Sequence, residues 1–400
     1  MKSMNKTLLS AAMAVALTST AAHADLSNDK VKIGVLADMG GVYADICGKG
    51  CVTAVEMAVE DFGGTVLGKT IEVVSADDQN KPDVGSAIVR KWIENEEVDV
   101  INGLVASSVT GAVTEVTTNA KKIALIAASA SDAFTTKSCS PYNAHWTYNV
   151  TALANGTVKP MVQSGKKKWF FITADYGFGH ALEGIATKVI EDEGGEVVGA
   201  VRAPLGTTDF SSYILQAQAS GAEVVGLANA GADFVNSLKT AAEFGLTDMM
   251  DVAGLLVFTP NAQALDPAIA GGMLATTGFY WDRDDESRAW SARFKERHGA
   301  IPAMPHAGAY SATMHYLNAV KATGTDDSDT VMKHMKANNP DDFFAKNATL
   351  RSDGRMVHDM YLIKIKKGSE RTSADDIFAI QSVIPGDQAF APVLPECDFK

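Results

Sequence analysis

Positive charge is scarce in this sequence of 400 residues: 35 Lys and Arg stand against 48 Asp and Glu, for a formal net charge of −13. Such a chain repels nucleic acid and anionic membrane surfaces, so neither is expected as a partner. Long apolar runs are also lacking. Beyond the first 24 residues none reaches the ~18 residues of a membrane span, and no membrane insertion is expected. The signatures GxSxG and HExxH are missing, as is a nucleophile elbow, so the many Ser, His and Asp residues do not form a recognisable hydrolase and no enzyme is expected. No CxxC or HxxxH spacing offers ligands to zinc, and no metal or cofactor is expected.

The first 24 residues read as a secretory signal. Lys2 and Lys6 give a positive start, LLSAAMAVAL is a short apolar run, and Ala22-His23-Ala24 is an A-x-A cleavage site. The mature protein is expected to begin at Asp25, in the periplasm, without a lipid anchor because no Cys sits at the cleavage point. Export makes Cys47, Cys51, Cys139 and Cys397 candidates for two disulfides with three possible connectivities, among which the sequence does not choose. The pairing expected is Cys47 with Cys51, because proximity favours it, leaving Cys139 and Cys397 to tie the tail to the body; reduced thiols are the alternative. The chain beyond the signal exceeds what one core usually holds, so at least two lobes are expected.

What is present is alternation. VKIGVLA at 31–37, a helix over about 50–62, TIEVVSA at 70–76, a helix through 84–95 and DVINGL at 99–104 predict parallel strands with crossover helices. In the first helix Val52, Val55, Val59 and Phe62 form the expected apolar stripe. Between that helix and the next strand lies GGTVLGKT, residues 63–70, which fits GxxxxGK[ST] letter for letter. A phosphate loop must follow a strand and open a helix; this one follows a helix and opens a strand. Its glycines are expected instead as a helix stop at Gly63-Gly64 and a turn at Gly68.

The punctuation recurs. AVEDFGG at 58–64 is echoed by VIEDEGG at 189–195, Leu36-Ala37-Asp38 by Thr173-Ala174-Asp175, and Gly103-Leu104 by Gly226-Leu227, in the same order. Two similar α/β lobes follow. Ligands of open parallel sheets lie beyond the carboxyl ends of the strands, so two such lobes face to face make a cleft, and the residues of interest stand at strand ends. These are Tyr43, Ala106-Ser107-Ser108, Ala128 to Ser131, Tyr176, Asn229 and the end of VAGLLVF.

At these residues the sequence resembles the leucine/isoleucine/valine-type family of periplasmic binding proteins, which deliver solutes to ABC transporters. The segments that carry the resemblance are VKIGVLADMGGVYAD, GKTIEVVSADDQ, IALIAASAS, WFFITADYGFGHAL and GTTDFSSYILQAQASGAEVVGLANAG. It implies two doubly wound parallel-sheet lobes joined by three crossing segments, placed near 148–151, 278–283 and 352–356. Lobe 1 is then expected over 25–148 plus 282–353, and lobe 2 over 149–281 plus 354–400. It also implies hinge closure on a small ligand, a permease partner in the inner membrane and, on this reading, a monomer.

Carried over position by position, Ser107 and Ser129 to Ser131 resemble the residues that hold a ligand carboxylate in relatives. A helix beginning near Ser108 would aim free N–H groups at it. Tyr176 matches the second-lobe aromatic that closes over ligands. Where amino-acid binders of the family place an acid for the ligand ammonium, this sequence reads AGLLVF, with Leu255 or Leu256 in its place. An ammonium there would lack a partner, so a carboxylate without an amine is expected. With Tyr43, Tyr148, Tyr176, Phe178 and Trp281 near cleft or crossing positions, the sequence is similar to the aromatic-acid branch, which implies a benzoate- or phenylpropenoate-like ligand. A branched-chain or other amino acid is the alternative; a ligand-sensing module is a more distant one.

Overall fold

The computed structural model describes residues 26–399; the expected signal segment 1–24 and the start at Asp25 lie outside them. The chain opens with β1 (Lys30–Ala37), α1 (Gly48–Phe62), β2 (Thr65–Val66), β3 (Lys69–Asp77), α2 (Pro82–Asn95), β4 (Val100–Gly103), α3 (Ser107–Asn119), β5 (Ile123–Ile126) and β6 (Asn143–His145). These strands form one sheet in the order β2-β3-β1-β4-β5-β6, parallel except for β2. From Val31 to Ala37, β1 is buried at every residue, as a central strand covered on both faces must be. In α1 the fully buried face is Cys51, Ala54, Val55 and Ala58, joined by Met57, whereas Val52 and Phe62 of the expected stripe sit at its margin. The small residues let α1 lie close to its neighbours, which a valine-only count of periodicity does not register.

GGTVLGKT is a hairpin. Gly63 ends α1 in the left-handed conformation at φ +105, and Leu67 and Gly68, at φ +53 and +78, turn β2 into β3. Lys69 leaves the turn to pair with Asp29 at 2.6 Å.

Past β6 the chain crosses over. α4 (Val150–Leu153) runs through a π turn at Ala154–Val158 into α5 (Lys159–Gln163), with Pro160, which has no N–H to give the helix, just beyond the turn. Then come β7 (Lys168–Ala174), α6 (Gly177–Asp192), β8 (Glu196–Ala203), α7 (Ser211–Ala219), β9 (Val224–Ala228), α8 (Gly231–Glu243), α9 (Leu246–Met249) and β10 (Asp251–Gly254). The second sheet is all parallel, in the order β10-β9-β7-β8. Two short helices, α10 (Thr259–Gln263) and α11 (Pro267–Ala270), lead to β11 (Leu274–Thr277).

The chain then returns to the first sheet with α12 (Asp285–His298), α13 (Met304–Thr323) and α14 (Ser328–Ala337). Buried along almost its whole length, α13 packs on α1 and receives Asn102 of β4, whose Nδ2 donates to Ala309 O and Thr313 Oγ1. A small ribbon of β12 (Thr349–Leu350) and β13 (Met356–Val357) precedes β14 (Met360–Ile365) and β15 (Phe378–Ile384), which join β11 in an antiparallel sheet.

Both expected disulfides are present, Cys47–Cys51 and Cys139–Cys397. The tail, expected with the second lobe, makes contacts with residues of 25–148 and 282–353: Arg351 Nη1 donates to Ala391 O at 2.7 Å, Cys397 is bonded to Cys139, and Lys336 Nζ lies 5.5 Å from the Phe399 ring centroid. No helix among the described residues is long and apolar enough to cross a membrane.

Candidate functional site

The two parallel sheets point their carboxyl ends at one another, and the loops that leave those ends meet in a gap. Tyr43, Ile46, Val105, Ala128, Ala130 and Tyr148 line it from the first-lobe side; Tyr176, Phe178, Ala230 and Leu256 line it from the second. Its cavity is about 10 Å³, room for about one water. This is a closed arrangement, because small-molecule sites hold roughly 300–1,000 Å³. A ligand of that size would fit only with the lobes further apart.

Three contacts hold the gap shut. Tyr43 and Tyr176 join hydroxyl to hydroxyl at 2.6 Å, Ala232 N donates to Val42 O at 3.1 Å, and Val42 Cγ2 lies against Gly206. Tyr43 is buried and Tyr176 partly so, and desolvation raises the pKa of both above the ordinary phenol value, which keeps both hydroxyls protonated. The loop that delivers Tyr43 is shaped by Asp38. One carboxylate oxygen accepts from Gly40 N and Gly41 N, the other from Tyr43 N at 2.9 Å and from Asn80 Nδ2. Asp175, its counterpart in the sequence repeat, does something else: half exposed, it pairs with His180 at 2.8 Å. The repeat marks the strand end in both lobes and the loop-shaping role in one.

Helix N-termini supply the polarity of the gap. α1, α3, α6 and α8 begin with N-cap residues Cys47, Ala106, Tyr176 and Ala230, each in the gap lining or next to a residue that is. None of these residues caps its helix with a side chain, so first-turn N–H groups remain without side-chain acceptors. Their partial positive charges favour an anion by up to ~2 kcal/mol each in partly buried geometry. The lining holds no charged side chain.

The expected site residues divide. Tyr43, Tyr148 and Tyr176 line the gap. Ser129, between the lining residues Ala128 and Ala130, and Ser107, two residues past the lining Val105, are buried and meet Oγ to Oγ at 3.1 Å, while Ser131 Oγ accepts from Ala133 N. Ser108 is exposed on α3, one residue round the helix from Ser107. Leu255 is replaced by Leu256: its N–H donates to Leu227 O, prolonging the β9–β10 pairing, and a shift of one residue along an extended chain reverses the face. Asn229 turns its amide into α8, donating to Ser237 Oγ at 3.1 Å. Trp281 donates to Asp375 O at 2.8 Å and packs against the second-lobe core beside Tyr280. Ala128 and Ala130 fall in the strand-end stretch the sequence marks, whereas Ile46, Val105 and Ala230 were not expected, because apolar residues in strand-to-helix loops read as packing.

One carboxylate stands close behind the second-lobe wall. Asp233, in the first turn of α8, accepts from Gly206 N through Oδ2, and Oδ1 is buried without a partner. Burial raises its pKa to about 6, partly opposed by the Gly206 N–H. The folded protein thus binds this proton more tightly than the unfolded chain, whose aspartate titrates near ~3.9. The associated stability is complete below pH ~4 and is lost as pH rises to about 6. Asp233→Asn, which keeps an acceptor for Gly206, should therefore gain stability relative to wild type as pH rises from 4 to 7, by up to ~2–3 kcal/mol. Urea unfolding of both proteins across that range checks it; a difference that does not change with pH would refute the assignment.

Residues 30–370 match the family described as "Periplasmic binding protein". The chain belongs to that family. Among solved structures, a periplasmic binding protein from Burkholderia mallei shares 44% identity and superposes with a TM-score of 0.90 over 93% of this chain and 98% of its own. A solute-binding protein of an ABC transporter from Rhodopseudomonas palustris HaA2, in complex with p-hydroxybenzoic acid, shares 26% identity at a TM-score of 0.80, covering 90% of this chain and 98% of that one. Among curated proteins, Leu/Ile/Val-binding protein homolog 6 of Brucella melitensis is 28% identical over 332 residues, 80% of this chain and 82% of the relative. This binding protein therefore has the two-lobed architecture of solute receptors for ABC transporters, with its gap where the strands of both sheets end.

Proposed function

We propose that the protein captures an aromatic carboxylate, benzoate- or phenylpropenoate-like, between its lobes and hands it to an ABC permease of the inner membrane, acting as a periplasmic monomer. The lobes of that receptor are 25–148 with 282–353, and 149–281 with the strands beyond 354. The observation that carries the reading is the lining itself: Tyr43, Tyr148, Tyr176 and Phe178 supply flat apolar walls, and uncapped helix N-termini supply positive potential without any charged side chain. An aromatic ring with one carboxylate matches both. Ser107 and Ser129, held as a pair, stand at the α3 end of the gap as hydroxyl donors for the carboxylate.

A second reading, a branched-chain amino acid, is favoured by Asp233, whose buried free oxygen could receive an ammonium once the lobes part. A thermal-shift panel separates the two. Benzoate, 4-hydroxybenzoate and a phenylpropenoate should raise the melting temperature by several degrees, while leucine, valine and phenylalanine should not. The same acids should lose at least tenfold in affinity on Tyr176→Ala by titration calorimetry. The opposite order in the panel would replace the aromatic acid by an amino acid.

A further inference from the structure

Loop 128–132 is tied, almost residue by residue, to the first crossing segment. Tyr148 Oη donates to Ala128 O, His145 Nε2 bonds Ser129 O at 2.7 Å, Val150 N donates to Ala130 O at 2.8 Å, and Thr151 Oγ1 donates to Asp132 Oδ2 at 2.6 Å. Of these residues, Ala128, Ala130 and Tyr148 line the gap. The crossing segment is in turn held from the third one. Arg355, completely buried, donates through Nη1 to Tyr148 O at 3.0 Å and through Nε to Met356 O at 2.9 Å, and its guanidinium lies 4.5 Å from the Phe390 ring centroid. His145 N donates to Gly354 O, and His358 Nε2 bonds Thr147 O at 2.7 Å.

We infer that Arg355 is a positioning residue for capture: from the third crossing segment it fixes the first, and through it the ligand-facing loop 128–132 and the Tyr148 wall. A buried cation is costly, and here it holds the Tyr148 carbonyl in the stretch between β6 and α4. Its fork reaches two carbonyls at once, which an ammonium cannot reproduce. Asp132 answers it from the loop: Asp132 Oδ1 and Arg355 Nη2 are both buried without a hydrogen-bond partner, opposite charges at the two ends of the same chain of contacts. Rotation at the hinge moves the crossing segments, and the wiring passes that motion to the site. The inference rests on the gap being the capture site.

Two variants test it by amide hydrogen exchange without ligand, so that the result does not depend on which solute is bound. R355K should speed exchange at least tenfold in peptides covering 127–133 and 147–151 while peptides of β1 and β7 keep the wild-type rate. T151V, which cuts only the Asp132 link, should speed 127–133 and leave 354–358 unchanged. Exchange at 127–133 within twofold of wild type in T151V, or an equal rise along the whole chain in R355K, would overturn the role. If R355K does not fold, R355Q, which keeps an N–H donor for Tyr148 O, takes its place with the same outcomes. With 4-hydroxybenzoate as probe, T151V should bind at least fivefold more weakly although Thr151 does not line the gap. If wild type itself fails to bind that probe, the aromatic-acid reading falls and the exchange comparison still decides the positioning role.

Discussion

Replacing Gly231 by alanine should hold the lobes apart and weaken ligand binding about ten- to a hundredfold. Gly231 opens α8 at φ +63, and a Cβ there would lie 2.4 Å from Val42 O and 2.9 Å from Tyr43 Cδ1, both on the opposite lobe. The clash exists only when the lobes are together. Overpacking of this kind costs ~1–3 kcal/mol, and ~1.4 kcal/mol is a factor of ten in the closed population. The left-handed backbone adds its own strain of ~1–2 kcal/mol, but in both open and closed states. Gly245→Ala isolates that second term, because Gly245 has φ +70 and nothing within 4 Å of an added Cβ. Labels on the two lobes, read as a distance distribution, should show Gly231→Ala opened and Gly245→Ala unchanged. Equal behaviour of the two variants would mean that the close approach at Val42 does not limit closure.

Removing the Cys139–Cys397 bond should cost more stability than any other change considered, on the order of 5 kcal/mol, against ~2 kcal/mol for Cys47–Cys51. The difference follows from loop length in the unfolded chain: the first bond joins residues 258 apart, the second residues 4 apart. Paired serine substitutions compared by urea midpoint check this. Equal losses would show that the long link acts through the folded contacts of the tail, including Arg351 with Ala391, rather than by restricting the unfolded chain.

How far the sequence carried depended on what each signal measures. Strands and crossover helices were legible because β1 is apolar throughout and α1 alternates faces at helical spacing, so periodicity alone located them. GGTVLGKT was legible for the same reason, since order along the chain excludes a phosphate loop and leaves a helix stop and a turn. Orientation was less legible. Leu255 and Leu256 differ by one position on an extended chain, and only the pairing of Leu255 N with Leu227 O decides which one faces the gap. Asn229 and Trp281 stand where a ligand residue could stand, but Ser237, two turns on in the next helix, and Asp375 O, 94 residues on, draw them elsewhere. Arg355 falls in the crossing segment expected near 352–356, but an arginine in the polar stretch RSDGR reads as surface, and its burial depends on segments more than 200 residues away, such as Tyr148.

The Tyr43–Tyr176 pair gives the receptor an internal rival to every solute. One phenol already donates to the other, so a guest must replace that bond as well as fill the space between the rings. The measured Kd then equals the intrinsic one divided by the fraction of molecules standing open. Solutes that bridge the two hydroxyls or outweigh them in ring contact are retained, and weaker ones are turned away by the protein's preference for its own embrace.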